Sequence, residues 1–104
     1  FSSYDTGSSY ENIVYMELLR RGYEVYVGKY NDLEIDFVAV SPAERIYYQV
    51  TRSLLSEDVE NREKKSLLAI NDNYKKIILT MDISYNKIID GIEVKNIVDF
   101  LLKN

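Results

Sequence analysis

The chain has no cysteine and no histidine. Together these absences remove disulfides, thiolate zinc sites, cysteine nucleophiles and imidazole acid–base chemistry. Any metal would have to be a hard cation on oxygen ligands, which means magnesium, manganese or calcium. The four glycines are Gly7, Gly22, Gly28 and Gly91, and no G-x-x-x-x-G-K-[ST] phosphate loop can be assembled around them. No apolar run approaches the length of a membrane span. A basic excess is also missing. Thirteen Lys and Arg face seventeen Asp and Glu, for a net charge of −4, so tight binding of duplex DNA by this chain alone is not expected. The lack of cysteine is compatible with the expected cytoplasmic location. The chain opens on Phe1 rather than methionine, and the expectation is a piece of a longer protein whose targeting signals, if any, lie upstream.

What is present is enough for one domain with one core: 104 residues with ordinary apolar content. Ten tyrosines are many for this length, and amphipathic filling at the edge of a small core accounts for them. Residues 1–7 read as a linker and 8–104 as the domain. Ser8 starts a helix with apolar positions Ile13, Val14, Met16 and Leu18, and Gly22 stops it. Tyr23 to Tyr30 alternates as a strand, Asn31-Asp32 turns, and Leu33 to Val40 forms a second strand. After a turn at 41–44, Arg45 to Thr51 is a third strand, completing an antiparallel meander. Ser56 caps a helix reaching about Ile70. Tyr74 to Met81 is a buried strand expected to lie parallel to the meander. Asp82 to Lys95 reads as a loop with a short strand near Ile92–Val94, and Asn96 to Lys103 as a closing helix. The pattern predicts an α/β fold with a mixed central sheet and helices on its faces.

The chemistry concentrates between Leu33 and Ser53. Asp36 sits inside the run Ile35-Asp36-Phe37-Val38-Ala39-Val40, where a charge is costly unless paired or metal-bound. Simple alternation puts Glu34, Asp36 and Val38 on one face, and Tyr47, Gln49 and Thr51 on one face of the next strand. Pairing of the two strands would bring Asp36 beside Gln49. Helical projection sets Glu11 in the inward stripe of the first helix, whereas Glu17 falls beside Arg20 and Arg21 as a solvated ion-pair member.

Glu11, Asp36 and Gln49, in the order α-β-β-β-α-β, resemble the site of the PD-(D/E)XK, or restriction-endonuclease-like, nuclease superfamily. The resemblance implies a divalent metal, Mg or Mn, on those three residues. It is nearest the Mrr-like branch, with its Q-x-K pattern. Here that pattern reads Gln49-Val50-Thr51, so threonine stands where the branch carries a lysine. The lysine can migrate in this superfamily, which makes Lys29, Lys64 and Lys65 candidates. Arg52 points to the opposite sheet face from Thr51. A closer resemblance spans GSSYENIVYMELLRRGYEVYVGK, EIDFVAV, IYYQVTRSL, DNYKKIILTMD and NIVDFLL. These segments are similar to the C-terminal domain of unknown function of prokaryotic AAA+-type ATP-binding proteins. That resemblance implies an upstream ATPase domain in the same chain, ATP bound only there, and DNA or a protein as further partner.

Each candidate also has a purely structural reading. Ser8-Ser9-Tyr10-Glu11 matches the S-x-x-E capping box. Asp36 could pair with a lysine at a wet sheet end, Gln49 could satisfy backbone groups between strands, and Glu34 could be a plain edge residue. The run Arg62-Glu63-Lys64-Lys65 reads as a solvated helix face. With threonine in the lysine position, the expectation is a nuclease-like domain without catalysis, serving as an interaction or regulatory module. The alternative is an active Mg- or Mn-dependent nuclease. A dimerisation module built on exposed tyrosines is a third reading.

Overall fold

A computed structural model describes residues 6–83 and 86–103. The element order is α1 (Thr6–Arg20), β1 (Glu24–Tyr30), β2 (Leu33–Val40), β3 (Arg45–Thr51), α2 (Glu57–Leu68), β4 (Lys75–Thr80), β5 (Asn86–Ile89), β6 (Ile92–Asn96) and α3 (Ile97–Leu102). The six strands form one mixed sheet in the order β1-β2-β3-β4-β6-β5. β1, β2 and β3 are the expected antiparallel meander, and β4 returns parallel to β3 through α2.

Local chemistry explains the element ends. Gly22 adopts φ +92°, and the Gly22 and Tyr23 amides bond to the carbonyls of Leu19 and Leu18. This is the paired ending that a left-handed glycine allows. Ser56 caps α2 by accepting from the Val59 amide, and Asn96 caps α3 by accepting from Asp99. α1 begins at Thr6, two residues before the expected start, so Ser8 lies inside the helix rather than at its cap. Residues 1–5 of the expected linker fall outside the described residues.

The segment read as a loop with one short strand is a hairpin. β5 pairs antiparallel with β6, and β6 pairs parallel with β4. The two-residue turn is Asp90-Gly91, with φ of +52° and +82°. Two left-handed residues in succession are what a tight hairpin demands, and Asp-Gly supplies them.

The sheet buries both faces. Under α1 and α3 lie Val14, Leu18, Ala39, Ile46, Tyr48 and Leu79, among others. Under α2 lie Ile35, Tyr47, Leu54, Leu67, Ile78 and Val94. Val14 and Leu18 carry the inward stripe of α1 as expected, but Ile13 and Met16 are exposed. Among the described side chains, the exposed tyrosines Tyr15, Tyr26 and Tyr74 sit on α1, on β1 and just before β4, scattered over different elements, which gives the dimerisation reading no support.

A bulge in β2 decides where the candidate site lies. Tyr26 pairs with Val38 and Gly28 with Ile35, so Asp36 and Phe37 together oppose Val27. Ile35 and Val38 consequently pack into the same cluster, and the alternation that grouped Glu34, Asp36 and Val38 is interrupted. Gly28 is required beside the bulge. A Cβ there would stand 2.9 Å from Ile35 Cβ and 2.9 Å from Val38 Cγ2.

Candidate functional site

Strands β2 and β3 are laddered from Val40/Arg45 to Phe37/Tyr48, and the pairing ends there. Side chains continue what the backbone stops. Gln49 Oε1 accepts the Asp36 amide N–H at 2.7 Å, and Asp36 Oδ2 accepts the Val50 amide N–H at 2.8 Å. Each residue therefore holds the main chain of the opposite strand. The Gln49 Nε2 donates to the carbonyls of Glu34, at 3.4 Å, and Glu63, at 3.5 Å. Gln49 is buried, and its amide links β2, β3 and α2. Asp36 and Gln49 are thus side by side, as the strand pairing predicts.

The electrostatics bring in a third acid. Burial raises the Asp36 carboxyl above its usual range; the Val50 N–H opposes this and the Glu34 charge adds to it. Glu63, on α2, is pushed up to about 7, first by burial, then by the charge of Asp36. Arg62 acts in the opposite direction, and the charge of Glu11 raises the value further. Glu11 is half-buried on α1. Glu63 on α2 therefore feels the charges of Asp36 on β2 and Glu11 on α1. Glu63 departs from the sequence reading of a solvated face: its side chain is only 15% exposed. A glutamate among charged neighbours on a polar helix gives no periodic signal. Only the helix's docking over Gln49 turns this one inward.

Among the described residues, no three acidic side chains lie close enough together to hold a metal ion. The expected lysines are elsewhere. Lys64 bonds to Asp90 at 3.1 Å and lies 3.3 Å from Glu60, toward the β5–β6 turn. Lys29 and Lys65 are exposed. Thr51, in the lysine position, donates its hydroxyl to the Ser53 carbonyl at 3.4 Å. Arg62 lies 3.8 Å from Glu63 but is 71% exposed. Glu34 is exposed, in keeping with an edge residue. Glu17 is held by Arg20 and Arg21, whose hydrogen bonds pull its carboxyl down to about 2.

No protein-family model and no solved structure matches the chain. An uncharacterized protein of Haemophilus influenzae is similar to it, with 51% identity over 94 residues. The match covers 89% of this chain and 22% of the relative, so the chain spans about a fifth of the length of the protein it resembles. No helix among the described residues is long and apolar enough to cross a membrane.

Proposed function

We propose that this chain is a restriction-endonuclease-like domain that does not cleave phosphodiesters and serves as an interaction or regulatory module of an AAA+-type ATPase. The observation that carries this reading is the commitment of Asp36 and Gln49 to main-chain amides. The superfamily would assign Asp36 Oδ2 and Gln49 Oε1 to a hard cation, and here both accept backbone N–H groups of the neighbouring strand. This donor set fits a strand clamp better than a magnesium or manganese site, which demands several free oxygen ligands. The missing lysine adds to the case. Thr51 carries no charge, and Lys64 is bound to Glu60 and Asp90.

The 22% coverage of the Haemophilus influenzae relative supports a role as one part of a longer polypeptide. The ATPase would precede this domain and bind the ATP, in the cytoplasm. The net charge of −4 favours a protein partner over duplex DNA bound by this domain alone.

The action of the Asp36 and Glu11 charges on the buried Glu63 carboxyl is the observation that favours the second reading, an active nuclease. Incubating the chain with supercoiled and single-stranded DNA in magnesium or manganese separates the two. No metal-dependent cleavage is expected. Cleavage abolished by Asp36→Asn would refute the first reading and establish the second.

A further inference from the structure

The two edges of the sheet differ. β5, at one edge, is four residues long and carries Lys87 at its second position, the short, charged form that blunts an open strand. β1, at the other edge, is seven residues long and runs Val25-Tyr26-Val27-Gly28 without a charge between Glu24 and Lys29. The extra residue of the β1–β2 bulge belongs to β2, so β1 keeps a regular outer ladder. No strand among the described residues pairs with that outer side, and Tyr26 and Val27 are 54% and 72% exposed.

This strand carries an exposed ring and, two residues on, part of a hollow. A cavity of ≈ 700 Å³ is lined by Gly28, Ile35, Val38, Tyr47 and Ile70, among others, and Gly28 contributes no side chain to it. Antiparallel pairing of β1 with the β1 of a second copy, centred on Val27, sets Tyr26 opposite Gly28, Val27 opposite Val27 and Val25 opposite Lys29. Opposed side chains in such a pair share one face of the sheet and stand about 4.5–5.5 Å apart. Tyr26 of each copy then lies over Gly28 of the other, beside its cavity, as an aromatic ring covers a strand glycine. The pairing also brings the Glu24 end of each strand to the Lys29 end of the other, whereas a parallel pairing would set Glu24 against Glu24.

We propose that β1 is the contact between two copies of this chain, joined antiparallel about a twofold axis at Val27 so that their sheets run on as one, with Tyr26 of each copy seated at the other's cavity. Ring and hollow lie on the same strand, which is the self-complementarity an isologous contact requires; this favours a second copy over an unrelated extended segment. The contact is a paired strand edge and needs no patch of clustered tyrosines. With seven residues a side it is small, so the dimer is weak and concentration-dependent. It does not depend on the Asp36–Gln49 reading.

The test is sedimentation equilibrium of the chain between roughly 10 µM and 1 mM, the range of a small contact. A monomer–dimer equilibrium is expected. Val27→Lys sets two ammoniums face to face at the axis, and Val27→Glu two carboxylates, so each variant alone should be monomeric. An equal mixture of the two should regain the dimer through a Lys–Glu pair. At 72% exposure this position tolerates both side chains, and circular dichroism should show both variants folded as the parent is. Tyr26→Ala should weaken association roughly tenfold or more, as loss of an anchoring ring does. A parent that stays monomeric throughout overturns the proposal and leaves the edge to a strand from another protein. A dimer that persists in both Val27 variants, or a mixture no more dimeric than its components, overturns it too.

Discussion

Asp36 and Gln49 hold each other's strand: the amide of Asp36 bonds to the Gln49 side chain, and the Asp36 carboxylate bonds to the amide of Val50. Two residues that a metal site would claim are thereby engaged in closing the open end of the β2–β3 pair. Four predictions test the structural side of this arrangement.

Asp36→Ala leaves the Val50 amide without its partner and should cost about 1–3 kcal/mol, the penalty of an unsatisfied buried donor. Asp36→Asn keeps an acceptor oxygen and removes a charge that burial disfavours. It should be at least as stable as the parent. Urea denaturation of the three proteins measures both. An Asn variant as unstable as the Ala variant would contradict the clamp.

Gln49→Glu preserves an acceptor for the Asp36 amide. It removes the donors to the Glu34 and Glu63 carbonyls and adds a carboxylate to a site already shared by Asp36 and Glu63. A loss of about 2–4 kcal/mol is expected at pH 8, shrinking toward pH 5 as the acids protonate. Equal stability of the two proteins at pH 8 would show that the amide donors do not matter.

Glu63 titrates near 7 in the fold, against an ordinary value of 4.5. Between those values the folded chain holds a proton that the unfolded chain has released. This group therefore makes stability fall as pH rises from about 4.5 to about 7, by an amount on the order of 3 kcal/mol. Glu17 acts in the opposite sense. Its carboxyl is held down to about 2, so its contribution is present above about 4.5 and is lost as the pH drops toward 2. Thermal melts at pH 5 and pH 8 should show the Glu63 effect directly, and Glu63→Gln should abolish it and be the more stable protein at pH 8. A Glu63 carboxyl titrating near 4.5 by NMR would exclude the effect.

Gly28→Ala puts a methyl group 2.9 Å from both Ile35 Cβ and Val38 Cγ2. These two side chains stand together because the bulge at Asp36 and Phe37 brings them to the same face. Overpacking of this kind costs about 1–3 kcal/mol. A thermal shift of several degrees is the expected readout, and an unchanged melt would mean the bulge is not fixed as described.

The elements whose periodicity and caps are local were legible in the sequence. β2 and β3 lie where alternation put them, Ser56 caps α2, and Gly22 ends α1. The β5–β6 hairpin escaped because β5 is only four residues long and partly polar. Its signal was Asp90-Gly91, the dipeptide of a two-residue hairpin turn. At the site, the pairing of Asp36 with Gln49 follows from strand adjacency and was legible. The bulge was not, since nothing local in Ile35-Asp36-Phe37-Val38 announces an extra residue. Glu63 and Lys64 stand adjacent with opposite fates, one turned toward Asp36 and the other tied to Asp90. Only the packing of α2 over the sheet separates them.

The central claim is that Asp36 and Gln49 form a structural clamp and are not a functioning metal site. Calorimetric titration of manganese into the folded chain, with Asp36→Asn as control, tests it most directly. The account predicts no saturable heat in either protein. Saturable binding in the parent that disappears in Asp36→Asn would contradict it.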